Sequence, residues 1–330
     1  MKRLDSGLLR TLRHTPVHLP PSELAAQLGA TRAGVAAEIE RLREAGFDID
    51  ERPGLGYRLV ATPDRLIAGD LFSRLGNCAL VREILVFEET DSTNERALKF
   101  GRDGTASGLA IFAERQRTGR GRFGRRWESA AHLGLWFSLL LRPAFAPEKW
   151  PRLTTWAAVS IAAALERSLG VEAGIKWPND IQVGSLKVAG ILIETGVDAA
   201  QENFAVVGLG VNANHASADF PAELAGKASS LRMVTGRQVD RSALAAAILR
   251  ELDARYADAD RRFDQLVAEA RHRSVLLGRW IQVRAGETTH EGIAEALDDA
   301  GQLVLRAGDS ELRTLSAGEV TVAGAEPLRG

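Results

Sequence analysis

The stretch that most constrains this chain is a basic loop. Six arginines (Arg115, Arg117, Arg120, Arg122, Arg125 and Arg126) fall within residues 115–126, interleaved with Gly119, Gly121 and Gly124, and no acid lies between Glu114 and Glu128. No apolar period runs through the segment, so it is neither a strand nor an amphipathic helix. Guanidinium groups without partners repel one another, so the loop is expected to be mobile when empty and to order around an anion. Arginine forks match phosphate and carboxylate oxygens two at a time, and the glycines let backbone N–H groups approach those oxygens. Leu109-Ala-Ile-Phe-Ala113 reads as a strand that delivers the loop, and Leu135–Leu141 as one that leads away. The fold must therefore hold a cationic loop between two buried strands.

The three glycines match the GxGxxG template of dinucleotide-binding folds, but that template needs a helix opening at the glycines and an acid about 20 residues on. Here a strand follows, and the first acid after it is Glu148. An arginine-rich nucleic-acid segment is the other reading. Net charge over the 330 residues is only −1, so the whole chain has no pull toward nucleic acid or membrane and any basic function must be local. The length suggests two or three domains. Cys78 is the only cysteine, which excludes a disulfide framework and a Cys-rich zinc site. No apolar leader follows Lys2 and Arg3, and no apolar run reaches membrane-spanning length. The expected compartment is the cytoplasm, with no membrane partner.

Residues 1–65 read as a winged helix-turn-helix. Leu4, Leu8, Leu9 and Leu12 stripe a first helix, which Pro16, Pro20 and Pro21 end. Ser22 is the expected cap of a second, stopped by Gly29; Thr31 caps a third, whose inward stripe is Val35, Ile39 and Leu42. Phe47–Leu59 reads as two strands around a Pro-Gly turn, the wing. Candidate DNA contacts are Ser22, Thr31, Arg32, Arg41, Arg43 and Arg52; the alternative is a helical interaction module. Residues 1–65 hold ten Lys/Arg and nine Asp/Glu, a balance of only +1, and Glu38, Glu40 and Glu44 lie on the expected reading helix.

Residues 66–275 carry the remaining motifs. Thr90-Asp-Ser-Thr-Asn94 follows a strand and opens a helix, with Asp91 or Ser92 as cap. Lys176-Trp-Pro-Asn-Asp180 is a polar turn, and Gly184-Ser185 turns a hairpin into Lys187–Glu194. Lys187 is either an edge charge or a counter-ion for a reacting phosphate. The glycines of Asn203–Asn212 let a ligand lie against the backbone. One long helix is expected over 244–268. Residues 276–330 show short strands at Trp280–Val283, Gly292–Leu297, Leu303–Leu305 and Leu312–Leu315, with turns that include Gly308-Asp-Ser310, as in a small barrel.

Taken together, the residue 90–94 cluster, the GRGRFGRRW run 119–127, the KWPND run 176–180, Lys187-Val-Ala-Gly190 and Gly208-Leu-Gly-Val-Asn212 resemble biotin protein ligase of the bifunctional, biotin-operon-repressor kind. Arg117 and Thr118 depart from its pattern. The resemblance implies an α+β chain: the winged helix-turn-helix, a central mixed-sheet α/β ligase domain of class II synthetase type (66–275) and a C-terminal SH3-like β-barrel (276–330). It implies ATP, biotin and Mg²⁺ as ligands, a biotin carboxyl carrier protein and operator DNA as partners, and a ligand-promoted homodimer. By the same resemblance Lys187, Arg120 and Arg122 are catalytic. Ser92, Thr93, Asn94, Gln116, Gly119, Trp136 and Gly190 join them around biotin. Arg122, Arg125, Arg126, Trp127, Lys176, Asn179 and Asn212 meet the nucleotide, and Asp180 the metal. Trp136 and Trp177 are walls for biotin or adenine, or plain core. Two rival readings are a ligand-sensing repressor without catalysis and a lipoate-type ligase.

Overall fold

The computed structural model describes residues 4–308 and 311–322. The N-terminal unit has α1 (Leu4–His14), α2 (Pro21–Leu28) and α3 (Arg32–Glu44), then β1 (Asp48–Arg52) and β2 (Gly56–Ala61) paired antiparallel as the wing. Pro20 stands at the N-cap of α2 with Pro21 at the first helical position, so Ser22, expected as the cap, instead lies exposed in the first turn. Proline is preset for that position and lacks an N–H that would go unpaired there. Gly29 (φ 64°) closes α2, and Thr31 Oγ1 accepts the Gly34 N–H at 3.0 Å to open α3. Leu8, Leu9, Leu24, Val35, Ile39, Phe47 and Ile49 form a core separate from the rest of the chain.

The central unit runs α4 (Ala68–Leu75), β3 (Glu83–Thr90), α5 (Thr93–Arg102), β4 (Leu109–Gln116), β5 (Gly134–Leu141), α6 (Arg152–Leu169), β6 (Gly174–Lys176), β7 (Asp180–Val183), β8 (Leu186–Val197), β9 (Asn203–Asn212), α7 (Leu231–Thr235), α8 (Arg241–Arg255), α9 (Asp258–Arg261) and α10 (Phe263–His272). Its seven-stranded sheet has the order β3-β4-β5-β9-β8-β7-β6, parallel only between β3 and β4. One face is covered by α6, whose alanines allow close approach, with Phe112 and Phe137 stacked at 4.6 Å in the same core. The other face is covered at one end by α5, through Ala97, Leu98, Leu140 and Phe204, and its other end is left for the site. The single helix expected over 244–268 is broken after Arg255; the break turns Tyr256 edge-on to Trp156 at 5.4 Å and lets Leu266 and Val267 of α10 join the core. Among the described residues no helix is long and apolar enough to cross a membrane.

The C-terminal unit is a five-stranded antiparallel sheet in the order β13-β12-β11-β10-β14, built from β10 (Trp280–Ala285), β11 (Thr288–Leu297), β12 (Leu303–Arg306), β13 (Leu312–Leu315) and β14 (Glu319–Val322). Ile281, Val283, Leu303 and Leu305 join the central core, so the small sheet leans on the large one. Part of the expected Gly308-Asp-Ser310 turn lies outside the described residues.

Candidate active site

Strand register builds the site. Trp136 of β5 pairs with Gly210 of β9, Gly210 with Gly190 of β8, and Ser138 with Gly208. A Cβ on Gly210 or Gly190 would stand 2.6 or 2.8 Å from the Trp127 ring, and one on Gly208 2.0 Å from Asn94 Oδ1. The sequence suggested that these glycines clear space for a ligand. In the structure they border the smaller cavity and also clear space for Trp127 and Asn94.

Two cavities meet there. The smaller, 60 Å³, is bordered by Ser92, Thr93, Asn94, Gln116, Gly190 and Gly208. Its floor is a hydrogen-bonded row. The Ser129 hydroxyl accepts from Gln116 Nε2 at 3.0 Å, and Gln116 Oε1 accepts the Thr93 N–H at 2.8 Å. Ser138 Oγ lies 2.7 Å from Thr93 Oγ1 and 2.6 Å from Asn94 Oδ1. Asn94 Nδ2 donates to Glu194 Oε2 at 2.9 Å. Ser92 caps α5, so that helix's N-terminus faces the same cavity. The larger groove, 1310 Å³, runs between the arginine loop, the 176–180 turn, residues 215–228 and β14, and takes in Arg125, Arg126, Lys176, Trp177 and Asn212. Arg122, Trp127, Asn179 and Lys187 border both cavities.

Lys187 is held by backbone on both sides: its N–H donates to Lys227 O at 3.0 Å and its carbonyl accepts the Ser229 N–H at 2.9 Å. Its Nζ lies 2.6 Å from Asp180 Oδ1 and 5.0 Å from the centre of the Trp127 ring. Arg122 donates to Asn179 Oδ1 at 2.9 Å and to Gly318 O at 3.4 Å, while Asn179 Nδ2 donates to Ile191 O at 2.8 Å. Burial lowers the pKa of Arg122 and of Lys176. A buried cation without a full counter-charge has a standing preference for an anion.

The expectation of partnerless arginines needs correction. Arg115 and Arg117 lie 3.2 and 3.5 Å from Glu89, and Arg117 also 2.8 Å from Asp91. Arg120 meets Glu194 at 2.9 Å, Arg126 meets Glu128 at 3.2 Å, and Arg125 pairs with Glu319 of β14. Most of these acids come from distant strands, which the local sequence cannot show. The loop also closes on itself, with Gly121 N–H to Arg125 O at 2.7 Å and Trp127 N–H to Gly119 O at 2.9 Å. Gly119 permits this because a Cβ would stand 2.3 Å from Trp127 O. Trp136 is a second correction: it is fully buried and borders neither cavity, and it backs Trp127 edge-on at 6.2 Å.

Asn212 is buried, with Nδ2 on Ser229 O at 3.1 Å. Among the described residues no group of three His, Cys, Asp or Glu side chains could hold a metal; Asp180 borders the larger groove beside Lys187. Sequence reasoning missed Glu194, Glu319, Ser138, His215 and Phe220. His215, stacked on Phe220 at 5.0 Å and edge-on to Trp136, has its pKa pushed down to about 4 by burial, and its Nδ1 has no hydrogen-bond partner among the described residues. In the winged helix, Thr31 and Arg32 are exposed, Arg41 pairs with Glu38 at 3.0 Å, Arg43 with Glu40 at 2.6 Å, and Arg52 lies 3.3 Å from Asp50.

Comparison with known proteins agrees with this architecture. Residues 86–212 match the biotin/lipoate A/B protein ligase family, residues 276–322 the biotin protein ligase C terminal domain, and residues 6–58 an HTH domain. The chain is 31% identical to the bifunctional ligase/repressor BirA of Bacillus subtilis, covering 88% of this chain and 90% of that one. It is 30% identical to the protein of the same name from Escherichia coli, covering 92% of each. The biotin protein ligase of Aquifex aeolicus solved with biotin and ATP superposes with a TM-score of 0.63 at 27% identity, covering 73% of this chain and 98% of that one. With all three units matched in order, this chain belongs to the family of bifunctional biotin ligase/repressors.

Proposed function

We propose that the small cavity receives the bicyclic end of biotin and the large groove ATP, with the two reacting groups meeting at Arg122 and Lys187. The observation that carries this is the shared wall: those two cations border both cavities. The chain joins biotin to ATP and passes it to a biotin carboxyl carrier protein. In the first half-reaction a carboxylate oxygen of biotin attacks the α-phosphorus of ATP, giving biotinyl-5′-AMP as pyrophosphate leaves. An anion attacking an anion needs positive charge placed beforehand, and Lys187, clamped at its backbone, supplies it. Arg120 and Arg122 hold the mixed anhydride, and Arg125 and Arg126 face the departing pyrophosphate. In the second half-reaction a lysine amine of the carrier attacks the acyl carbon and AMP leaves. Asn179 acts by holding Arg122, and Asp180 would hold Mg²⁺, which takes one or two carboxylates plus phosphate oxygens. Such an ion would shield phosphate charge.

Arg120, Arg125 and Lys187 are each matched by a carboxylate: Glu194, Glu319 and Asp180. Bound anions compete with these carboxylates. The 60 Å³ cavity is below the ~300 Å³ of a usual ligand site, and Trp127, which borders both cavities, is the side chain whose displacement would enlarge it. Lys187 and Arg120 are both present, which disfavours a sensor without catalysis.

The winged helix serves operator DNA. Because Arg41, Arg43 and Arg52 are engaged by acids of their own unit and the local charge is +1, we propose that two copies must act together and that the ligand promotes the dimer. The same reading places the protein in the cytoplasm, where ATP is at hand, and divides it at about residues 65 and 275, the first division following the separate N-terminal core. Biotin-dependent exchange of pyrophosphate into ATP tests the site assignment. Exchange slowed by ~10²–10³ in Lys187→Ala supports it, and exchange unchanged in that variant overturns it.

A further inference from the structure

Glu194 is unassigned by the mechanism beyond its contact with Arg120, yet it ends the hydrogen-bonded row under the small cavity. Each hydroxyl in that row owns one proton, so the row has a direction that its ends decide. Paired with Arg120 at 2.9 Å, the Glu194 carboxylate only accepts. Asn94 must therefore turn its NH₂ to Glu194, at 2.9 Å, and its Oδ1 to Ser138. At 2.6 Å from that oxygen, Ser138 must donate to it. The 2.7 Å contact between Ser138 and Thr93 then needs the Thr93 proton. Thr93 Oγ1 and Gln116 Oε1 are left 3.1 Å apart as two acceptors with no proton between them, both bordering the cavity. Asn94, Thr93 and Ser138 are buried, so water cannot freely repair the reverse order.

We infer that Glu194 is a positioning residue: through Asn94 and Ser138 it fixes the proton order of the row, so that Thr93 and Gln116 jointly accept from an N–H donor, the ureido group of biotin. This rests on placing biotin in the small cavity. Replacing Glu194 by a neutral amide weakens the bias, because glutamine can donate to Asn94 Oδ1 and only the longer contact of Asn94 Nδ2 with Leu192 O, at 3.3 Å, still opposes reversal; in the reversed row the Thr93 proton turns to Gln116 Oε1 and fills the joint acceptor site.

The test is the biotin Kd of the full chain by calorimetry for Glu194→Gln, Ser138→Ala, the double variant and Thr93→Val. Glu194→Gln and Ser138→Ala should each weaken biotin about tenfold, the worth of roughly one net hydrogen bond. Because both break one row, the double variant should be little weaker than either alone. Ser138→Ala leaves the Glu194–Arg120 pair in place, so this coupling would not arise if Glu194 served Arg120 only. An unchanged Kd in Glu194→Gln, or effects that multiply in the double variant, overturns the inference. If Thr93→Val also binds normally, biotin sits elsewhere and the cavity assignment falls with it.

Discussion

The base of the arginine loop rests on a buried ion pair whose removal has a calculable cost. Glu114, the last acid before the loop, and Arg241, at the start of α8, are each about 1% exposed. Arg241 Nη1 meets Glu114 Oε2 at 2.5 Å, and the guanidinium also reaches Asp64 Oδ1 at 2.9 Å, Asp64 O at 3.0 Å and Gly134 O at 3.2 Å. Glu114 Oε1 accepts the Leu66 N–H at 2.6 Å, so the pair also pins the linker from the winged helix. Arg241→Met fills the same space but strands a buried carboxylate, with His132 Nδ1 at 3.4 Å as a remote partner. Leaving one charge of a buried pair alone costs ~3–5 kcal/mol. Glu114→Gln leaves Arg241 with Asp64 and two carbonyls and should cost less, ~1–3 kcal/mol. The assay is urea and thermal unfolding of both variants, with hydrogen exchange read at residues 64–75, where the loss should concentrate. If Arg241→Met costs no more than Glu114→Gln, or under ~1 kcal/mol, the pair is not holding the loop and linker as described.

Three further outcomes follow from the same geometry. Arg122→Gly should release biotinyl-AMP faster while slowing its synthesis less, so lysines of bystander proteins acquire biotin; labelling confined to the carrier lysine at a normal synthesis rate contradicts the clamp. His215, held at about 4 against an ordinary 6.5, binds its proton more weakly folded than unfolded. Its contribution is therefore full above the unfolded value and is lost as pH falls through the folded one. It costs up to ~3 kcal/mol between about pH 7 and pH 4, and His215→Phe should show a smaller fall in melting temperature over that window. On DNA carrying its operator, a dimer contacting ~6 phosphates should bind with a log–log salt slope near ~−5, and far more weakly without biotin and ATP; equal binding without ligand contradicts the coupled dimer.

The fold was largely legible because its signals are local. Gly29 and Thr31 mark the helix-turn-helix, and alternating or continuous apolar runs mark the strands that carry the loop. What stayed hidden depends on contacts between distant residues. The loop arginines look partnerless until β3, β8 and β14 bring Glu89, Glu194 and Glu319 to them. Trp136 looks like a ligand wall because it lies just past the arginine loop in sequence, yet strand register turns it under Trp127. β14 is only four residues long and follows Gly318, too short to show a period, although it supplies Glu319. Ser138 sits in an apolar run, and a lone hydroxyl there gives no sign that it joins Thr93 to Asn94. The motif order along the chain showed the site's chemistry; which partner each side chain takes came only from the pairing of strands.

The most direct measurement is the intact mass of a biotin carboxyl carrier domain after incubation with the protein, biotin, ATP and Mg²⁺. One biotin increment on a single lysine is expected, with omission of ATP abolishing it and Lys187→Ala slowing it by ~10²–10³ while leaving the fold intact. No increment from a folded protein, or an undiminished rate in Lys187→Ala, would contradict the account of how this site works.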